Sequence, residues 1–169
     1  MPPHISYIAQ GAFLASADPQ ETLSTVLGSC VAACLWDPIV AVGGMNHFLL
    51  PNAGNDADAV SSRYGINAME MLINTLLKQG ALRRRLRAKL FGGATMSSNL
   101  ADIGGLNARF AKTFLANEDI PCVAESLGGD AARRVTFHPT TGHARQLLVA
   151  AQDPVRAPTP PPRPNVVLF

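Results

Sequence analysis

Apolar and polar positions follow two rhythms along the chain, and these predict its elements. From Tyr64 to Gln79, apolar residues fall at Ile66, Met69, Leu72, Ile73, Leu76 and Leu77. Offsets of three and four put them on one face of an amphipathic helix, which Gly80 closes. A second helix is predicted from about Gly105 to Asn117, with Leu106, Phe110, Phe114 and Leu115 inward. The other apolar segments are short and rich in β-branched or small residues, as strands are. They cover Ile5 to Leu14 with a bend at Gly11, Leu23 to Leu27, Val31 to Trp36, Val40 to Leu50, Leu86 to Phe91, Ile120 to Leu127, Arg133 to Phe137 and Gln146 to Ala150. Asp37-Pro38 and Pro51 end two of these strands, and Asn52 to Asp58 reads as a polar loop. The pattern predicts an α/β fold, a single-domain layered α/β sandwich with a mixed sheet and two main helices.

That domain is expected to span residues 1–151. Residues 152–169 form a proline-rich C-terminal tail, with Pro154, Pro158, Pro160, Pro161, Pro162 and Pro164 close together. Proline lacks the amide hydrogen and fixes φ, so an extended or disordered tail is predicted. Its apolar end, Val166-Val167-Leu168-Phe169, is suited to dock either on a partner or on the domain itself.

Composition narrows the functional classes. With 169 residues, 47% hydrophobic and 15% charged, the chain can bury a real core. It contains no apolar run long enough for a membrane-spanning helix, and its first residues lack the pattern of a secretory signal. Cys30, Cys34 and Cys122 cannot all pair with one another, so reduced thiols in the cytoplasm are expected. A net charge of +2 is too small to suggest nucleic acid. The basic stretch Arg83-Arg84-Arg85-Leu86-Arg87-Ala88-Lys89 reads as a solvated segment or as a docking surface for an acidic partner. No aromatics for base stacking are interleaved there.

The candidate chemistry lies between Leu23 and Pro51. Gly28-Ser29-Cys30 is a glycine-led turn that aims a cysteine, and Gly43-Gly44-Met45-Asn46-His47 places a histidine on the next strand. Antiparallel pairing of the two strands would bring Cys30 and His47 together, and an imidazole near a thiol favours the nucleophilic thiolate. Backbone N–H groups at Gly28, Ser29 and Cys30 are candidates to hold an oxyanion. Asn46, Gly92 and Gly93 are further candidates for an oxyanion or substrate loop, although the glycine pair also suits tight packing beneath the site. Ser24 and Thr25 are the candidate hydroxyls to orient the imidazole. Cys34 and Cys122 read as core packing. Gly92-Gly93-Ala94-Thr95 lacks the Lys-Ser/Thr of a phosphate loop, and His138 with His143 has no second ligand pair for zinc, so neither a metal nor an organic cofactor is expected.

Taken in order, the runs Leu27 to Pro38, Met45 to Pro51, Lys89 to Ala94 and Leu127 to Asp130 resemble the CheD-type chemoreceptor glutamine deamidases. The resemblance covers roughly Ile5 to Val149. It implies a chemotaxis hydrolase, a protein-glutamine glutaminase that converts glutamine side chains of methyl-accepting chemotaxis receptors to glutamate and releases ammonia through a cysteine thioester. It implies a cysteine nucleophile at Cys30 and a histidine at His47. The family's upstream threonine matches Ser24 without gaps, and Thr25 is its neighbour, so both remain open. The implied fold is a layered α/β arrangement similar to certain bacterial deamidating toxins, and some members bind a regulating chemotaxis phosphatase. The accessible glutamine of a folded receptor calls for a shallow, open cleft. Two other readings compete: a non-catalytic regulatory module that binds the phosphatase or receptors, and a redox sensor in which Cys34 resolves oxidised Cys30.

Overall fold

The computed structural model of the chain describes residues 2–51, 57–96, 102–149 and 166–169. In chain order the elements are β1 (His4–Tyr7), β2 (Phe13–Ser16), β3 (Glu21–Leu27), β4 (Val31–Asp37), β5 (Val42–Asn46), α1 (Ala57–Lys78), β6 (Arg87–Gly92), α2 (Ile103–Asn117), β7 (Cys122–Leu127), β8 (Ala132–Phe137), β9 (Ala144–Val149) and β10 (Val166–Leu168). The expected α/β sandwich with two main helices is present, and its strands divide between two mixed sheets. One has the order β1-β3-β8-β9-β10 and the other β2-β5-β4-β6-β7. Each holds one parallel pair, β1 with β3 and β6 with β7.

The two sheets and the helices make three layers. Alternation along β4 shows how: Val31, Ala33 and Leu35 pack with Met69, Leu72, Ile73 and Leu76 of α1 and with Ala111, Phe114 and Leu115 of α2. Cys30, Ala32, Cys34 and Trp36 face the other way, onto Leu23, Leu27, Val135 and Phe137 of the second sheet. Both faces of β4 are therefore covered, which explains its uninterrupted apolar run. The segment Ile5 to Leu14 is two strands rather than one bent strand. β1 joins one sheet and β2 the other, with the chain turning at Gly11 (φ 84°).

Several inward positions differ from expectation. Ile66 and Leu106 are about half exposed, while Gly104, Asn107 and Ala111 form the buried stripe of α2 with Phe114 and Leu115. The helix phase is set by the surface it meets, and small residues let α2 lie close against β4 and β6. Helix α1 also starts earlier than its apolar pattern, within the expected polar loop. The rest of that loop, residues 52–56, and tail residues 152–165 lie outside the described residues.

The basic stretch is mostly a seam. Arg83 pairs with Glu70 (3.1 Å) and Glu118 (2.9 Å), and Arg85 with the fully buried Asp37 (2.8 Å). Lys89 is buried over the Trp36 ring, 5.3 Å from its centre, and donates to the Phe169 carbonyl. Arg84 and Arg87 remain exposed. The apolar end of the chain docks on the domain itself: β10 pairs antiparallel with β9, and the Phe169 ring meets Phe91 edge-on at 5.2 Å.

Candidate active site

Cys30 lies in the short connection Gly28–Cys30, where the chain passes from β3 in one sheet to β4 in the other. The connection is pinned on three sides. Val31 and Phe48 exchange both backbone hydrogen bonds, at 3.0 and 2.9 Å. The Gly28 and Cys30 carbonyls accept from the N–H groups of Ala94 (3.0 Å) and Gly93 (2.8 Å). Asn107, fully buried on α2, donates to the Ser29 carbonyl (2.8 Å) and accepts from the Leu50 N–H (3.0 Å). Gly92 is required here: its φ is 111°, and a Cβ would collide with the Cys30 carbonyl. Among the described residues, nothing accepts from the N–H groups of Ser29 and Cys30.

The Val31–Phe48 bridge continues the register that sets Cys34 opposite Met45, so His47 lies opposite Ala32. Cys30 and His47 are thus diagonal neighbours on the face between the sheets. Such neighbours stand about 7–8 Å apart along the backbone, within reach of an imidazole.

The ring of His47 is held by the other sheet. Thr25 Oγ1 is 2.8 Å from His47 Nδ1 and 2.7 Å from the Ile8 carbonyl oxygen. A hydroxyl has one proton, and the carbonyl can only accept, so that proton goes to Ile8. Nδ1 must therefore carry the hydrogen of the neutral ring and donate it to Thr25. Nε2 keeps its lone pair, is buried, and has no hydrogen-bond partner among the described residues.

Burial governs the resting charges. Cys30 is 9% exposed and His47 7%. Removal from water pushes the Cys30 thiol up and the His47 imidazole down from their ordinary values. The resting site therefore holds a neutral thiol and a neutral imidazole, where the sequence pointed to a thiolate. The thiol donates to Gln10 Oε1 at 3.6 Å. The site is nearly covered rather than an open cleft. A cavity of about 290 Å3 lies elsewhere, between α1 and α2 beside Leu50, Ser61 and Phe110.

The other sequence candidates separate clearly. Ser24 alternates to the opposite face of β3 from Thr25 and makes no hydrogen bond to His47. Asn46 faces the helices, where it accepts from the Ala33 N–H (2.9 Å) and its amide meets Met69 Sδ (3.4 Å). Gly92 and Gly93 pack beneath the Cys30 backbone. Cys34 is fully buried as expected, but Cys122 is exposed on β7 rather than in the core. Cys34 cannot resolve Cys30: it shares a face, yet four strand residues separate the two by about 13 Å, beyond disulfide reach. Sequence reasoning missed Asn107, Ile8 and Gln10. Only Asn107 left a signal, as a polar residue spaced with Gly104, Ala111 and Phe114 on a helix face.

A family model described as CheD chemotactic sensory transduction matches residues 49–146, beginning just after His47. Relatives extend the likeness across the site. A protein of Caulobacter vibrioides called probable chemoreceptor glutamine deamidase CheD is 55% identical, over 95% of this chain and 88% of its own. Proteins of the same name in Cereibacter sphaeroides and a Caulobacter species are 52% and 54% identical, over 89% and 91% of this chain and 75% and 84% of theirs. On this evidence the chain belongs to the CheD family.

Proposed function

We propose that this chain is a chemoreceptor glutamine deamidase, a protein-glutamine glutaminase in which Cys30 is the nucleophile, His47 the general base and acid, and Thr25 the residue that positions His47. The observation that carries these roles is the Ile8–Thr25–His47 chain of hydrogen bonds, because it leaves the Nε2 lone pair free on the face that bears the thiol. The names of the relatives support receptor glutamines as substrate.

The chemistry follows from the resting charges. His47 Nε2 takes the Cys30 proton as Sγ attacks the carboxamide carbon, so the thiolate forms in the transition state rather than before it. The carbonyl oxygen becomes an oxyanion that accepts from the N–H groups of Cys30 and Ser29. His47 then gives its proton to the nitrogen, the C–N bond breaks and ammonia leaves, producing a thioester. Water, deprotonated by His47, adds to the thioester. The C–S bond breaks, the proton returns to sulfur, and glutamate is released. One water enters and one ammonia departs, with no further reactant.

Several features support the setting. Among the described residues, no helix is long and apolar enough to cross a membrane, and all three cysteines are free. These suit a cytoplasmic enzyme acting on the receptors' cytoplasmic portions; the family resemblance adds a chemotaxis phosphatase as a proposed regulatory partner. The test is incubation with a receptor fragment: ammonia release and a gain of about one dalton per converted glutamine. Both should vanish in Cys30→Ala at unchanged far-UV CD. Conversion by Cys30→Ala at the rate of the parent would overturn the assignment.

A further inference from the structure

A carboxamide of the protein itself meets the Cys30 thiol. Gln10 Oε1 accepts the Cys30 S–H at 3.6 Å. Glutamine is also the side chain on which the proposed deamidase acts. We propose that Gln10 is an internal stand-in for the substrate glutamine, seated on Cys30 so that a receptor carboxamide must displace it before attack. This rests on the deamidase reading above.

The placement of Gln10 follows from the backbone. It occupies the turn that carries the chain from β1 to β2, and so from one sheet to the other. That turn is fastened to the strands that carry the site. The Gly11 N–H donates to the His47 carbonyl at 2.7 Å, and the His47 N–H donates to the Ala12 carbonyl at 3.1 Å. The Ile8 N–H donates to the Ser24 carbonyl at 2.8 Å, and the Ile8 carbonyl takes the Thr25 hydroxyl proton. The Ala12 N–H closes the turn onto Ala9 at 3.0 Å, and Gly11 supplies its left-handed step. The Cα of Gln10 is therefore held relative to both His47 and Thr25, and its side chain falls on the thiol.

The contact is that of an occupant and not of an attack. The amide oxygen faces the S–H, which a neutral thiol offers and a thiolate does not. Gln10 is exposed, so its side chain can swing into water without disturbing the core. A substrate carboxamide would take over the same thiol and then present its carbon to sulfur. Competition of this kind reduces apparent affinity by the fraction of time the site is open. It leaves the chemical step of the bound complex alone, because Gln10 has then left.

The test compares the parent with Gln10→Ala on a receptor fragment, alongside alkylation of Cys30 by iodoacetamide, a small reagent that carries its own carboxamide. Occupancy of about 70–90% predicts that Gln10→Ala lowers KM roughly three- to tenfold with kcat held, and speeds alkylation by a similar factor. An unchanged or raised KM with unchanged alkylation would overturn the proposal. Failure of the deamidase reading would look different, because the parent protein would then release no ammonia. The alkylation rates would still report whether Gln10 covers the thiol.

Discussion

Thr25 gives its hydroxyl proton to the Ile8 carbonyl and so receives one from His47 Nδ1, which fixes the tautomer of the histidine across the gap between two sheets. Removing the hydroxyl while keeping the shape should uncouple the ring from its task. Thr25→Val is expected to lower kcat about 10- to 100-fold, a part of the usual general acid–base contribution. Thr25→Ser, which keeps the oxygen, should stay within a few-fold of the parent. Ser24→Ala should be near neutral, because Ser24 faces away. Steady-state ammonia release by the three variants checks the order.

The pH dependence follows from burial of His47. The active ring is neutral, and burial lowers its pKa, so activity should persist on acidification past the ordinary histidine value of about 6.5 and fall only below it. Stability should respond first. Between the lowered folded value and about 6.5 the unfolded chain binds the proton that folded His47 excludes, so the contribution of His47 to stability declines as pH falls below about 6.5. The acid limb of kcat/KM, set beside urea unfolding at matched pH, tests both. An acid limb centred above 6.5 would contradict the burial argument.

Asn107 joins the Ser29 carbonyl to the Leu50 N–H, and so the nucleophile turn to the segment that leaves His47. Asn107→Ala strands buried polar groups, at a cost of about 1–3 kcal/mol in unfolding free energy. Activity should fall more than stability alone requires, because the turn loses its support. Denaturant midpoints and kcat on the same variant separate the two effects.

Oxidation distinguishes a hydrolase from a redox sensor. Cys34 is fully buried, its thiol is pushed far up by desolvation, and strand geometry keeps it out of reach of Cys30. Mild oxidant followed by non-reducing peptide mapping should yield no Cys30–Cys34 crosslink.

How much of this was legible in the chain depends on range. The face of α1 at Met69, Leu72, Ile73 and Leu76 was readable, because helix period is local, and so was the doubly buried β4. Cys30 and His47 could be paired from two adjacent strands. The split into two sheets was not readable, since alternation looks the same whichever sheet a strand joins. Nor was the choice of Thr25 over Ser24. One residue of phase on β3 decides which hydroxyl faces His47, and that phase is set by pairing with β8, more than a hundred residues away. Gln10 reaches Cys30 only through the β1–β2 crossover, which no local pattern records.

The covalent step at Cys30 is the centre of the proposed chemistry. Acid quenching of a reaction with a receptor peptide, read by intact mass and peptide mapping, should reveal a species equal to protein plus peptide less one ammonia, attached at Cys30 and absent in Cys30→Ala. Efficient conversion of glutamine to glutamate with Cys30 never modified, or continuing in Cys30→Ala, would contradict it.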